Sequence, residues 1–403
     1  MISNTAVGDS GPDEAFRDLP WQRARERAHA AARPVPPIEV ELERAAGLTL
    51  AEEITARTPA PAFDTSAMDG FAVAGPGPWQ VCGAVRAGTV WTREALEAGQ
   101  AVEISTGAPV PPGADAVLPV ELAVRHADRV SGPQPSKGRH IRLTGEDAPA
   151  GTRLAAAGGW AGPALLGLAA ACGYDTLRVR PRPRVRILVT GDELVRHGLP
   201  GPGQVRDALG PMLPSLVESM GGRVQEVLHV PDRPEGSLAA AVGAAGEAEV
   251  VVVTGSTSVG VTDQLRSLLD GRAARWVVDT VACRPGHPQL LAGLDGGPWV
   301  VGLPGNPYAA LVAAHTLLGP LLAGLSGRGL PVLPRVPLAG DVRVAVGRTR
   351  VLPATWDGPV ARVLAERGSA FLNGAAAGDA LAAVPPDWTP GDAVPLVLLA
   401  RPF

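Results

Sequence analysis

Four apolar runs set at helix-length intervals constrain this chain more than any other feature: VRILVT (185–190), VQEVLHV (224–230), EVVVVTG (249–255) and WVVGLPGNP (299–307). Strands that are apolar throughout, rather than alternating, are buried on both faces, and such strands pair in parallel through right-handed βαβ crossovers. Helical segments fill the gaps near Gly210–Met220 and Gly236–Gly246, and AALVAAHTLLGPLLAGL (309–325) follows the last run. Residues 181–328 therefore read as a three-layer α/β/α domain.

The flanking sequence changes character. PRPR at 181–184 breaks regular structure before the domain. From Trp79 to Val124 the runs are short, β-prone and punctuated by Gly and Pro, so 59–147 reads as an inserted β-rich domain. Residues 21–58 with 148–180 read as an elongated linker domain, 329–403 as a small C-terminal β-barrel, and 1–20, polar and aperiodic, as a disordered leader. The expected fold class is multidomain α/β plus β.

Composition excludes several function classes. No apolar run approaches the roughly 20 residues of a membrane span, and the first residues lack a basic segment followed by an apolar one, which points to the cytoplasm. A net charge of -4 without a basic stripe argues against nucleic acid. Cys82, Cys172 and Cys283 have neither disulfide-like nor zinc-like spacing and read as free thiols. Lys137 is the only lysine, so a site that calls for lysine is expected to carry arginine.

Open parallel sheets bind ligands beyond the carboxyl ends of their strands. Three glycine-containing turns fall there: Thr190–Gly191 leading to Glu193, Gly255 through Ser258 and Gly260 to Asp263, and Pro304–Gly305–Asn306–Pro307. Backbone amides in such turns can hold a phosphate, although Asn306 as N-cap and Pro307 at the first helical position also suit any helix start. Asp192, Glu193, Asp207, Asp232 and Asp263 lie in or beside these turns, and clustered carboxylates bind hard cations such as Mg²⁺. In the β-rich insert, Asp69–Gly70 is a turn signal, and Thr106–Gly107 after a strand could offer a hydroxyl and amides to an anion.

Taken in order, SAMDGFAV, ISTGAPVP with GADAV, GED (145–147), TGDEL, SVGVTD, RPGHP and GLPGNP resemble the molybdopterin molybdotransferase family, whose eukaryotic counterpart is part of gephyrin. The resemblance spans about residues 36–325 and makes the α/β domain the molybdopterin-binding one. It implies transfer of molybdenum from molybdate to adenylylated molybdopterin with release of AMP, Mg²⁺ as the cation, and a homodimer in which the insert of one subunit faces the crevice of the other. By the same resemblance Asp69, Thr106, Asp147, Glu193, Asp232 and Asp263 would be catalytic, with Glu193, Asp232 and Asp263 on the metal. Thr190, Gly191, Asp207, Gly255, Ser258, Gly260, Arg284, Pro304, Gly305, Asn306 and Pro307 would bind the nucleotide-tagged pterin. Arg284 stands where the family usually has lysine and could grip an oxyanion by a bidentate fork.

Some positions depart from the family pattern. Gly255-Ser256-Thr257 replaces Gly-Gly-Val, Val261 replaces an acidic residue, Arg206-Asp207-Ala208-Leu209 keeps only the aspartate of its segment, and Thr280 and His287 replace basic residues. A non-catalytic molybdopterin or nucleotide binder is the alternative these changes leave open.

Overall fold

The computed structural model describes residues 14–255, 264–364 and 372–399. Two compact units divide the chain: residues 38–179 form one, and the described residues before 38 together with those from 180 onward form the other.

In the second of these, six strands make the expected sheet: β1 (Arg184–Thr190), β2 (Arg223–Val230), β3 (Val250–Thr254), β4 (Arg275–Val278), β5 (Leu290–Gly293) and β6 (Trp299–Leu303), in the spatial order β2-β1-β3-β6-β5-β4. The first four in that order are parallel, while β5 runs antiparallel to both β6 and β4. Alternation of side chains sorts the valine runs between two cores. Val185, Ile187, Val189, Val250 and Val252 face one core with α2 (Leu209–Ser219). Leu188, Val251 and Val253 face the other with α3 (Ser237–Gly243) and α4 (Gln264–Gly271). Helices on both faces give the three-layer arrangement.

The apolar segment after β6 runs as α5 (Pro307–Ala313), a π-helical turn (Ala314–Leu318) and α6 (Gly319–Leu325). Contrary to the expectation from the sequence, its length and hydropathy do suit a membrane span, but 89% of it is buried inside the protein, so it serves as the core helix of the first face. α1 (Trp21–Ala31) packs on this helix through Trp21, Ala24 and Ala28, and the Trp21 indole donates to Thr316 Oγ1 at 2.9 Å. This revises the expected linker domain: its helix at 21–31 belongs with the α/β unit, because its buried face is matched by α6. The expected leader is also revised at its C-terminal end. Leu19–Pro20 pairs with Val281–Arg284, and Arg17 bridges to Asp279 at 2.6 Å, so residues 14–20 are held in place.

The C-terminal segment closes a five-stranded barrel. Thr349–Trp356 pairs with Ala361–Val363 and Ala380–Val384, the latter with Ala393–Leu398, that strand with Arg335–Ala339, and Arg335–Ala339 returns to Ala361–Val363. Closure leaves no edge strand. Leu352, Ala380, Ala382 and Leu396 fill its interior, while the intervening Val351, Leu381, Ala383 and Val397 point outward into the core shared with α5 and α6.

The unit spanning 38–179 holds a six-stranded sheet in which Gly70–Val73 lies between Gln100–Ile104 and Ala116–Pro119. Both faces are covered, by clusters around Val102 and Ile104 on one side and Trp79 and Leu118 on the other. A third cluster joins Leu50, Ile54 and Leu177 to the helix Pro163–Ala171.

Leu291 of β5 is fully buried in the core that also holds α2, α5 and α6. Leu291→Ala is expected to lower unfolding stability by about 2–5 kcal/mol in urea titration, whereas Leu199→Ala, at 96% exposure, is expected to leave it within about 0.5 kcal/mol.

Candidate active site

Parallel pairing brings Thr190, Val230, Thr254 and Leu303 to one edge of the sheet, so the four turns that follow them are neighbours. The turns are tied to one another. Buried Thr190 donates its hydroxyl to the Thr254 carbonyl at 2.6 Å, and the Gly255 amide donates to the Leu303 carbonyl at 3.1 Å. Gly255 has φ +72°, and a Cβ there would stand 2.8 Å from Thr190 Oγ1. The next turn is equally close, since a Cβ on Gly305 would meet Gly255 Cα at 3.8 Å. Glycine at 255 is therefore demanded both by backbone conformation and by the approach of the neighbouring turn.

The turns after β1 and β2 are joined by a reciprocal pair. The Asp232 amide donates to Asp192 Oδ1 at 2.9 Å, and the Asp192 amide donates to Asp232 Oδ2 at 3.3 Å. Among the described residues each carboxylate thus keeps one oxygen without a partner. Gln264, at the start of α4, donates to the Asp232 carbonyl at 3.2 Å. Glu193 is exposed and its carboxylate folds over Gly191, where a Cβ would lie 2.8 Å from an oxygen. Asp192, which the family resemblance did not place on the metal, is the residue that meets Asp232. Its signal was its place directly after the Thr190–Gly191 turn.

Asp207, expected among the binding residues, has both oxygens engaged. Oδ1 accepts the amides of Leu209 and Gly210, each at 2.9 Å, and Oδ2 lies 2.8 Å from His229 Nε2. It holds the first turn of α2 against the end of β2 and is 7% exposed. Asn306 caps α5 as expected, accepting the Ala309 amide at 2.9 Å, with Pro307 next, Pro304 buried and Gly305 exposed. Arg284 lies outside the six-stranded sheet, at the end of Val281–Arg284, which pairs with the barrel strand Thr349–Trp356. Its loop still reaches α5: a Cβ on Gly286 would be 3.3 Å from the Ala309 carbonyl, and Gln289 braces the loop through the Gly286 carbonyl at 2.7 Å. Exposed Arg284 forms no ion pair with any described residue. His287 in the same loop meets Asp18 at 2.7 Å. Ser258, Gly260 and Asp263, with the altered positions 256, 257 and 261, lie outside the described residues.

In the unit spanning 38–179, Asp69 Oδ1 accepts both the amide of Thr106, at 2.6 Å, and its hydroxyl, at 3.0 Å. The Thr106 amide above all, then its hydroxyl and nearby Arg86, holds the Asp69 carboxyl below its ordinary range. Gly70 follows because a Cβ there would fall 2.0 Å from the Leu118 carbonyl. The Thr106 hydroxyl, expected to be offered to an anion, is thus turned toward Asp69. Asp147 is ion-paired to Arg142, whose guanidinium that contact pushes up.

Among the described residues no three acidic, cysteine or histidine side chains converge as a metal cluster. Mg²⁺ commonly takes only one or two carboxylates and completes its shell with phosphate oxygens and water. The free oxygens of Asp192 and Asp232 fit that pattern. Among the described residues Glu193 does not join Asp192 and Asp232 as a third ligand, and Asp263 lies outside them.

Residues 19–173 match the pattern described as the MoeA N-terminal region, domains I and II, and residues 186–324 match the one described as a probable molybdopterin binding domain. Molybdopterin molybdenumtransferase 2 of Mycobacterium tuberculosis is 36% identical over 322 residues, covering 74% of this chain and 77% of its own. The chain belongs to the molybdopterin molybdenumtransferase family. Another family member, from Synechococcus elongatus, is 35% identical over 75% of this chain and 80% of its own. A solved molybdopterin biosynthesis MoeA protein from Pyrococcus horikosii superposes with a TM-score of 0.76 at 27% identity, covering 95% of this chain and 99% of that one. The α/β domain, the closed barrel and the β-rich unit are thus the family's architecture.

Two measurements check the geometry. Gly255→Ala forces an L residue to positive φ against Thr190 and is expected to cost about 1–2 kcal/mol in a denaturant titration. Thr106→Val removes the hydroxyl but keeps the amide, so the Asp69 carboxyl followed by NMR should titrate at higher pH than in the parent, still below the usual aspartate value. Because the folded-state value is the depressed one, the stabilisation exists near neutrality and fades as pH falls through it.

Proposed function

We propose that this chain transfers molybdenum from molybdate to adenylylated molybdopterin and releases AMP. Membership of the family supports the molybdopterin substrate, and the observation that carries the reading is the sheet edge where Thr190–Gly191, Gly255 and Gly305–Asn306 converge beside the Asp192–Asp232 pair. Gly191 and Gly305, with no side chains at this edge, would let the phosphates of the nucleotide-tagged pterin approach the main chain closely. Arg284, exposed beside α5 without a described carboxylate partner, supplies a fork for an oxyanion, molybdate or phosphate.

Mg²⁺ bound at the free oxygens of Asp192 and Asp232 would neutralise charge as the phosphoanhydride breaks. The protein's own part is positional. The reciprocal amide contacts fix those two carboxylates, Asp207 fixes the entry to α2, and Asn306 fixes the entry to α5. Asp69, held ionised by Thr106, and Asp147, ion-paired to Arg142, are the acidic groups of the other unit that the resemblance links to the same chemistry. A homodimer and a cytoplasmic location belong to this reading. Val120, Leu122 and Val124, each at least half exposed, support the former as an apolar strip available to a second copy.

Asp232→Asn keeps an oxygen to accept the Asp192 amide while removing the charge. Molybdate-dependent AMP release should fall by about 100-fold or more, with thermal unfolding shifted little. Parent protein that is protected against unfolding by adenylylated molybdopterin yet releases no AMP would replace the transferase with a non-catalytic binder.

A further inference from the structure

A cavity of ≈ 320 Å³ opens beside α6, between the end of α2 and the barrel strand Ala393–Leu398, within the α/β unit and away from the carboxyl edge of the sheet. Most of its wall is apolar, with Ala323, Leu333 and Leu396 among the lining residues. Three basic side chains also line it: Arg25 of α1, His315 of the π-helical turn and Arg328 after α6.

Each of the three has unspent hydrogen-bonding capacity. Arg25 is 3% exposed; it reaches Gln22 at 3.0 Å and the Pro331 carbonyl at 3.4 Å, stacks on the Trp21 ring, and has no partner for Nε. Arg328 donates to the Met220 carbonyl at 2.8 Å, closing α2, and its Nε is likewise buried without a partner. His315 Nε2 is the third buried nitrogen with none. Neither arginine is ion-paired among the described residues, and the charges acting on them are Glu26 on Arg25 and Arg182 on Arg328, the second repulsive. Burial, with Arg25 adding to it, drives His315 down to about 4, so the ring is neutral at pH 7; burial alone brings Arg25 down to about 10.

Buried Arg25, with no ion pair among the described residues, and half-buried Arg328, repelled by Arg182, are both costly, and each unpaired donor adds to the cost. An isolated π-helical turn is likewise a departure from regular helix that recurs at functional sites. One ligand chemistry offsets all of these: an acceptor-only anion for the arginines and an apolar body for the walls, at a volume near the lower end for small-molecule sites. We propose that this cavity binds a small monocarboxylate with a short apolar tail, its carboxylate held by Arg25 and Arg328 beside His315.

Hexanoate is the probe, with hexanamide as its uncharged counterpart, each titrated by calorimetry and ligand-detected NMR into the full chain. Hexanoate is expected to bind saturably and at least about tenfold more tightly than hexanamide. Arg25→Gln should remove about that factor. Ala323→Met fills the cavity while leaving all three basic groups in place, so it should abolish binding even if Arg25→Gln does not fold. Equal affinity for the two probes, no saturable hexanoate binding, or binding unchanged in the folded Ala323→Met protein would overturn the assignment.

Discussion

Buried backbone in the parallel sheet must be paired inside the protein, and that requirement organises the α/β unit. β1, β3 and β6 have neighbours on both sides and side chains in two cores, so Val250–Val253 have no exposed face. The ladder can end only where water or another loop takes over, and at the carboxyl edge the turns take over for one another. Thr190 satisfies the Thr254 carbonyl, and Gly255 satisfies the Leu303 carbonyl. The site is the place where the sheet finishes its own hydrogen bonding.

The same economy of burial joins the barrel to the α/β layers. Its strands spend alternate residues on two tasks, with Leu352 and Ala382 turned inward and Val351 and Ala383 turned toward α5 and α6. Tyr308, near the start of α5, donates its hydroxyl to the Val351 carbonyl at 3.0 Å, a polar tie across that joint close to the capped helix entry. A disturbance in the barrel therefore has a short covalent and hydrogen-bonded route to Asn306.

Much of this was legible in the residues. The continuous apolar runs specified buried strands, because short valine-rich runs suit a strand covered on both faces. Asn306–Pro307 specified a helix start, and the cap is made. Less legible were features set by distant partners. Nothing local in WQRARERAHAA tells which body its Trp21–Ala28 face will meet, since amphipathicity declares a buried side without naming its partner. Likewise Asp192 and Glu193 are chemically alike and adjacent, and only the position of β2 decides that Asp192 meets Asp232. Asp207 looked like a ligand residue for the same reason: a carboxylate's duty depends on the amides that reach it, here those of Leu209 and Gly210.

The crossed contact between Asp192 and Asp232 makes the two turns interlock like a clasp. Neither segment can swing outward without dragging the other's acidic group, so a cation tugging on either oxygen would be felt along β1 and β2 together. Occupancy at the rim would thereby stiffen a seam that runs the length of both strands, down to Arg184 and Arg223.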